Sequence, residues 1–187
     1  MRRWVIADLH FGHTNVIKYS DRPFTDADDM DDSLIKNWNN TVSKDDIVYV
    51  LGDFTLSRKK EYIKSILDRL HGHKVLVMGN HDTLKPRVYI ELGFVTAMRR
   101  PIMIDPGVLL MHEPPQEDII VTSYKFIFGH VHNKPSFADN YSNCFCVSAE
   151  RINYTPVDLD KLLKTLWQIS PPLLREENER KDRRCLK

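Results

Sequence analysis

The chain has 187 residues, of which 42% are hydrophobic, and its 27 basic residues nearly balance 26 acidic ones. This length allows one domain with a substantial core and is marginal for two, while a net charge of +1 disfavours nucleic-acid binding through bulk charge. The three cysteines do not make a disulfide framework, and no apolar run approaches membrane-spanning length. We therefore expect a protein of the reducing cytoplasm.

Six short apolar runs predict β-strands, because they are rich in β-branched and aromatic residues and are bounded by Gly, Asp or Pro. Their hydrophobicity is continuous rather than alternating, which indicates sheets that are covered on both faces. In chain order, the runs are Trp4 to Ala7, Ile47 to Leu51, Val75 to Met78, Val108 to Met111, Phe126 to Phe128 and Phe145 to Ala149.

Three apolar stripes at helical spacing predict amphipathic helices that pack on the sheets. Acidic residues precede the first stripe, as a helix start favours, the second stripe stops at Gly72, and Asp158 is a plausible cap for the third. The stripes consist of Met30, Leu34 and Trp38, then Tyr62, Ile63, Ile66, Leu67 and Leu70, and finally Leu159, Leu162, Leu163 and Leu166.

The composition of the chain changes at residue 170. Pro171 and Pro172 break the third helix, and the sequence that follows Leu174 has mixed charge without an apolar face. We therefore expect one domain over residues 1–169 and a mobile carboxyl-terminal tail over residues 170–187.

Five of the predicted strands end in side chains that bind metals or transfer protons. The carboxyl ends of strands in α/β sheets form the edge where ligands bind, and residues two apart near a strand end lie on one side. We therefore expect these groups to converge. In chain order, the strand ends read Asp8-Leu9-His10, Gly52-Asp53, Gly79-Asn80-His81-Asp82, His112-Glu113 and Gly129-His130-Val131-His132.

The donors at these strand ends suit two metal ions. They are carboxylates, imidazoles and a carboxamide without a thiolate, which favours manganese, iron, zinc or cobalt. Seven ligands are too many for one tetrahedral zinc with an open position, but they suit two ions roughly 3.5–4 Å apart that share one carboxylate. The seven candidates are Asp8, His10, Asp53, Asn80, His112, His130 and His132.

The ordered set of strand ends from residue 8 to residue 132 resembles the calcineurin-like metallophosphoesterase superfamily. Four further stretches resemble a small bacterial and phage branch of that superfamily. These stretches are DLHFGHTNVI at residues 8–17, RPF at 22–24, NWN at 37–39 and NYTPV at 153–157.

The resemblance implies an α/β fold in which two packed mixed β-sheets are flanked by helices, with the metals at the loop-bearing edge. It implies that Asp53 bridges both ions and that His81 stabilises or protonates the leaving oxygen of a phosphate ester. The first ion would bind to Asp8, His10 and His132, and the second to Asn80, His112 and His130.

The second motif departs from the pattern of the superfamily. Many members continue it as Gly-Asp-x-x-Asp-Arg, whereas here Gly52-Asp53 is followed by FTLSR. The second carboxylate and the neighbouring arginine are missing, so the groups that orient His81 or bind phosphate must come from elsewhere. Asp82 stands where glutamate is commoner. We count it with His81 among the catalytic candidates, because it could support a hydrogen bond behind the metal ligands.

Three residues that follow the first motif are candidates for substrate binding. Arg22 is a phosphate candidate, because a guanidinium group forks onto phosphate oxygens. His13 and Asn15 either face the substrate or shape the loop.

The sequence therefore predicts a dinuclear metal-dependent phosphoester hydrolase that acts on a small phosphoester or nucleotide. A metal-bridging hydroxide would attack in line, and His81 would assist the leaving group. A phosphodiesterase is favoured, because the arginine that would help to bind a monoester dianion is missing. Manganese is the expected metal, with iron, zinc, cobalt or nickel as alternatives.

Several alternatives stay open within the same fold. A phosphomonoesterase or a nuclease would use the same ligands, although the near-neutral charge argues against a processive nuclease. A non-catalytic scaffold is less favoured, because His81 and all seven candidate ligands are present. No membrane partner is expected, and the sequence leaves the oligomeric state open.

Overall fold

The computed structural model describes residues 1–120 and 122–168. The strands in these two ranges are β1 (Arg3–Ile6), β2 (Ile47–Val50), β3 (His73–Val77), β4 (Thr96–Met98), β5 (Ile102–Asp105), β6 (Val108–Leu110), β7 (Lys125–Phe128), β8 (Cys144–Cys146) and β9 (Val157–Asp158). The helices are α1 (Thr14–Tyr19), α2 (Ala27–Thr41), α3 (Lys60–Arg69), α4 (Pro86–Leu92), α5 (Glu117–Ile120) and α6 (Leu159–Gln168), with 3-10 helices at Phe137–Asn140 and Ala149–Ile152.

In the described part of the chain, the strands form two mixed sheets. The first has the order β4-β3-β2-β1-β9, in which β1 to β4 are parallel and β9 is antiparallel to β1. The second has the order β5-β6-β7-β8, with β5 antiparallel to β6 and the other neighbours parallel. These two mixed sheets, flanked by helices, confirm the expected fold class.

Alternation along β1 gives the first sheet two buried faces. Val5 and Ala7 belong to a core cluster that includes Ile127 of the second sheet and the apolar stripe of α6. Trp4 and Ile6 belong to a different cluster, which they share with α2, α3 and α4. The expectation that the strands are covered on both faces is therefore confirmed for β1, which anchors the functional edge.

The predicted strands correspond to β1, β2, β3, β6, β7 and β8, and the predicted helices to α2, α3 and α6. Asp158 caps α6, because its Oδ1 accepts the Lys161 N–H at 2.9 Å. The shorter elements β4, β5, β9, α1, α4 and α5 were not predicted, since so few residues show no clear periodicity. The tail expected over residues 170–187 lies outside the described residues. None of the helices in the described ranges is long and apolar enough to cross a membrane.

Asp46 ties the start of β1 to the turn that leads into β2. Its carboxylate accepts the Arg2 N–H at 2.6 Å, the Trp4 Nε1–H at 2.9 Å and the Ser43 N–H at 3.1 Å. The hydrogen bond from Arg2, followed by the one from Trp4, lowers the pKa of Asp46 to about 2. The ionised carboxylate therefore helps to fix the strand that ends in Asp8.

We expect Asp46→Asn to lower the free energy of unfolding at pH 7 by about 1.5–3 kcal/mol, because hydrogen bonds to a charged acceptor are lost. Urea unfolding measures this change, with Asp45→Asn at the exposed neighbouring position as the control. Because the pKa of Asp46 is lowered on folding, the difference should be complete above pH of about 4 and should shrink as the pH falls toward 2. Equal stability of the two variants at pH 7 would contradict the prediction.

Candidate metal centre

The carboxyl-terminal ends of strands from both sheets meet at one edge. Backbone hydrogen bonds join the sheets there, since the Ala7 N–H donates to Val147 O at 2.9 Å and the Ala149 N–H donates to Ala7 O at 3.0 Å. The Asp8 N–H donates to Gly52 O at 3.0 Å, so the chain remains paired beyond β1 and β2. This junction carries the candidate ligands from β1, β2, β3, β6 and β7 into one region.

Five of the seven candidate ligands have backbone conformations that non-glycine residues rarely adopt. Their positive φ angles cost about 1–3 kcal/mol each, and such conformations cluster at functional sites. The strain lies on the residues whose side chains converge, which favours a functional reason for it. The angles are 58° at Asp8, 53° at His10, 53° at Asp53, 72° at His130 and 52° at His132.

Asp8, His10 and His132 form the first ligand group. Each offers one donor atom, and these atoms lie within 4.8 Å of one another. The His10 and His132 rings stack with centroids 5.0 Å apart. Burial raises the pKa of the Asp8 carboxyl and lowers the pKa of the His10 imidazole, so burial favours the neutral form of both. A bound cation would reverse this for the carboxyl group.

The second ligand group contains Asp53, His112 and His130, whose donor atoms also lie within 4.8 Å of one another. Asn80 belongs with them, because its Oδ1 is 3.0 Å from His112 Nε2 and 3.1 Å from His130 Nδ1. The two histidine nitrogens are 3.1 Å apart. Donors about 2.1 Å from one ion stand about 3 Å from each other, so these three atoms fit a single ion.

Asp53 belongs to the second group and also faces the first. Its Oδ2 is 3.5 Å from His10 Nε2, and its Oδ1 is 3.6 Å from His112 Nε2. Each carboxylate oxygen therefore faces a different group, as a bridging ligand requires. Gly79 permits this arrangement, because a Cβ at that position would lie 2.2 Å from Asp53 Oδ1.

Buried polar atoms without a hydrogen-bond partner also indicate cation binding. Among the described residues, these atoms are Asp8 Oδ1, both ring nitrogens of His10, Nδ1 of His13 and Oε2 of Glu150. A buried acceptor that makes no bond costs about 1–3 kcal/mol, and a divalent ion would satisfy the oxygen and nitrogen lone pairs of the first group together. The oxygen and nitrogen donors suit manganese, iron or zinc, so the residues present fit two divalent ions.

Asp82 makes the hydrogen bonds expected of it behind the metal ligands, and it does not lie among the groups that could act directly in catalysis. It is fully buried and therefore cannot touch a substrate. Its carboxylate accepts the N–H groups of Asp53 at 2.8 Å, Phe54 at 3.1 Å and Gly79 at 2.9 Å. Burial raises the pKa of Asp82 to about 7 although these hydrogen bonds oppose the shift. Asp82 is thus a positioning residue that holds the turn carrying Asp53.

Arg22 is also placed differently from the sequence expectation. Its side chain is 0% exposed, and its Nε donates to Glu150 Oε1 at 2.8 Å. Its Nη1 donates to Leu9 O at 2.9 Å and its Nη2 to Asp8 O at 2.6 Å. The expected contact with substrate phosphate is corrected, because the guanidinium group is buried and bonded inside the fold.

His81 lies at the mouth of the site. Its side chain is 42% exposed and its Nε2 is 4.0 Å from Asp53 Oδ2, while its backbone N–H donates to Asp53 Oδ1 at 2.9 Å. His13 is half-buried, with its ring 5.4 Å from that of His10, and burial lowers the pKa of His13. Asn15 is exposed in α1. His81 and His13 therefore lie beside the first group. Asn15 follows His13 by two residues and lies in α1.

Glu150 is a functional candidate that the sequence reasoning missed. It lies in the 3-10 helix that follows β8, and its Oε1 is 2.8 Å from His132 Nδ1. Although burial acts against it, the hydrogen bond to Glu150 raises the pKa of His132. Glu150 directly follows the sixth predicted strand, Phe145 to Ala149, so the rule that selected the other strand-end residues also points to it. Its place in AERINYTPV, three residues before the NYTPV stretch, is a second pointer.

Comparisons with known proteins identify several similar chains. A family model described as calcineurin-like phosphoesterase matches residues 1–181. An uncharacterized protein of Methanocaldococcus jannaschii is 36% identical over 170 residues, which cover 87% of this chain and 90% of that protein. The crystal structure of a protein of unknown function from Aquifex aeolicus, 26% identical, aligns with a TM-score of 0.68 over 87% of this chain and 98% of that chain.

A phage protein is also similar to this chain. The Gene 66 protein of Mycobacterium phage L5 is 32% identical over 131 residues, which cover 59% of this chain. The match spans 62% of the phage protein, so it leaves part of that protein uncovered. This similarity agrees with the small bacterial and phage branch that the shorter sequence stretches indicate.

We expect the purified protein, after equilibration with Mn²⁺, to hold two ions per chain, because the donors form two groups around Asp53. Elemental analysis counts the ions, and anomalous scattering should place one in each group. The His73→Ala variant, which removes an exposed histidine from β3, should hold two ions as well and serves as the control. A single ion held by only a few of the seven candidate ligands would contradict the prediction.

Proposed function

This chain belongs to the calcineurin-like phosphoesterase family, and we propose that it is a phosphodiesterase that depends on two divalent metal ions, with manganese as the expected metal. The observation that carries the proposal is the pair of ligand groups facing the two oxygens of Asp53. Ions bound there would act as Lewis acids and would lower the pKa of a water molecule, so that hydroxide is available near neutral pH. The proposed substrate is a small phosphodiester or nucleotide.

In this proposal, His81 assists the leaving group. Its exposure at the mouth and its position outside both ligand groups support the role. The imidazole can hold a proton for the leaving oxygen as the phosphorus–oxygen bond breaks. The half-buried His13 lies on the same side of the site, and we propose that it faces the substrate together with Asn15.

Two arginines near the first ligand group are bonded within the fold, which supports the preference for diesters. A monoester dianion carries more negative charge than a diester, so it benefits more from fixed cations beyond the metal ions. Arg22 is buried against Glu150, and Arg151 is bonded to His132 O and to the Asp139 carboxylate. Both guanidinium groups are therefore already used inside the fold.

A cleft beside the second ligand group also supports a diester substrate. It has a volume of about 400 Å³, which lies in the range of small-molecule sites. One of the two substituents of a diester could occupy this cleft while the other extends from the mouth of the site, whereas a monoester would fill only one of these two places. The wall combines apolar side chains with polar ones such as Arg99 and Glu113, so it would suit a substituent with both apolar and polar parts. The lining residues are Val77, Met78, Gly79, Asn80, Arg99, Pro101, Met111, His112 and Glu113.

Phosphomonoesterase activity is the second candidate, and Arg99 is the observation that favours it. Arg99 lines the cleft, and its Nη2 donates to Leu84 O at 3.3 Å while the residue remains exposed. If its guanidinium group binds phosphoryl oxygens, it supplies the additional cation that a dianion needs. If it contacts only the second substituent, it contributes to diester binding instead.

We expect His81→Ala to lower kcat by a factor of roughly 10²–10⁴, as is typical when a positioned general acid is removed, while the number of bound ions stays at the wild-type value. Steady-state hydrolysis of a chromogenic diester and elemental analysis are to be done on the same preparation. His73→Ala controls for the loss of an exposed imidazole. Loss of metal in proportion to activity would show that His81 is a ligand and would contradict the proposed role.

We expect kcat/KM for bis-(p-nitrophenyl) phosphate to be at least as high as that for p-nitrophenyl phosphate. Both values are measured with the same metal and pH, and each is corrected for its uncatalysed rate. A clear preference for the monoester would contradict the diesterase proposal. In that case Arg99→Gln should lower the monoester value selectively, because the variant removes the cation that the dianion needs.

A further inference from the structure

Three stretches typical of the bacterial and phage branch contribute no metal-ligand candidate: RPF at residues 22–24, NWN at 37–39 and NYTPV at 153–157. The structure brings them together. The Phe24 and Tyr154 rings meet edge to face with centroids 4.9 Å apart, and Asn37 Nδ2 donates to Tyr154 O at 3.3 Å. The guanidinium carbon of Arg22 lies 5.8 Å from the centroid of the Tyr154 ring. The three stretches therefore converge at Tyr154, whose ring lies beside the guanidinium group of Arg22.

Arg22 connects this convergence to Glu150. Its Nε and Nη2 each lie 2.8 Å from Glu150 Oε1. The side chains are 0% and 4% exposed, respectively, so both charges are held away from water. Removing one partner of such a pair leaves the other charge buried and uncompensated, which is strongly unfavourable. The ion pair therefore fixes the positions of the Arg22 and Glu150 side chains relative to each other.

The same two side chains contact the first ligand group at two points. Glu150 Oε1 is 2.8 Å from His132 Nδ1. The proton on Nδ1 therefore points toward the carboxylate, and the lone pair of Nε2 is left to bind a metal ion. Arg22 donates to the backbone carbonyls of Asp8 and Leu9, where Asp8 has its unfavourable positive φ angle of 58°. One ion pair thus fixes both an imidazole ring and the strained backbone next to it.

We propose that Glu150 and Arg22 are positioning residues for the first metal ion, with Glu150 orienting His132 and Arg22 holding the backbone of Asp8. A carboxylate on the outer nitrogen of a ligating histidine fixes the ring and increases its basicity, and loss of such a partner typically lowers metal affinity about 10–100-fold. The inference rests on the two-ion site proposed above. It does not depend on the phosphoester chemistry, because metal binding is its readout.

The second ligand group has a different support, which makes the inference testable. His112 Nδ1 lies 2.8 Å from the carbonyl oxygen of Leu51, so a neutral backbone group orients this ring. Substitution of Glu150 should therefore weaken the first ion and leave the second ion in place. A merely structural role of Glu150 would weaken both ions together or neither of them.

The test uses the full-length protein stripped of metal and titrated with Mn²⁺. In Glu150→Gln, which preserves the size of the side chain and removes its charge, we expect the affinity for one ion to fall about 10–100-fold while the other stays at the wild-type value. Electron paramagnetic resonance should then show an isolated Mn²⁺ at one equivalent, and anomalous scattering should locate it beside Asn80, His112 and His130.

Arg22→Lys is the second variant, because it keeps a cation near Glu150 but lacks the planar guanidinium group whose three nitrogens reach three separate acceptors. It should also weaken the first ion selectively, and it decides the question if Glu150→Gln does not fold. Glu91→Gln removes the carboxylate of an exposed Glu–Arg pair with Arg87 and serves as the control. Equal weakening of both ions, or wild-type affinity for both in the two test variants, would overturn the inference. A wild-type protein that binds fewer than two ions would overturn the two-ion proposal and this inference with it.

Discussion

The burial of negative charge at the junction of the two sheets is the constraint on which the site depends. Asp8, Asp53 and Asp82 are at most 2% exposed, and the side chain of Glu150 is 4% exposed. When ionised, these four groups carry four negative charges, and the buried Arg22 contributes one positive charge. Uncompensated charge in such a place costs several kcal/mol per ion. Two divalent ions would nearly balance it, so metal binding and the stability of this edge are coupled.

Backbone amides hold two of these carboxylates, Asp8 and Asp53, in place. The His130 N–H donates to Asp8 Oδ2 at 2.8 Å, and the His81 N–H donates to Asp53 Oδ1 at 2.9 Å. In both cases the amide belongs to a turn at the end of another strand, and that turn itself carries further functional side chains. The unfavourable φ angles at the ligands are therefore part of one arrangement, in which each strand end orients the carboxylate of its neighbour.

The candidate ligands could be predicted from local sequence signals. The residues that support them are brought together only by contacts between distant parts of the chain. Donors that directly follow apolar runs could be read as one set, because strand ends share an edge. The pairing of Arg22 with Glu150 could not, since the two residues are 128 positions apart and Arg22 follows a helix instead of a strand. The fold shows the same division, because continuous apolar runs revealed β1, β2 and β7, while β9 has only two residues and depends on pairing with β1.

The second motif lacks the carboxylate and the arginine that many superfamily members have after Gly-Asp. The two sides of the site differ in which groups stand in for them. On the side of the first ligand group, Arg22 and Glu150 supply a buried ion pair that supports Asp8 and His132. At the mouth, His81 is held mainly by its backbone, since its ring nitrogen is 4.0 Å from Asp53 Oδ2, beyond hydrogen-bonding distance. A rigid ligand framework therefore adjoins an imidazole that can adjust to the leaving group. This combination agrees with the proposed activity on diesters with varied substituents, because an adjustable imidazole can serve leaving oxygens in different positions.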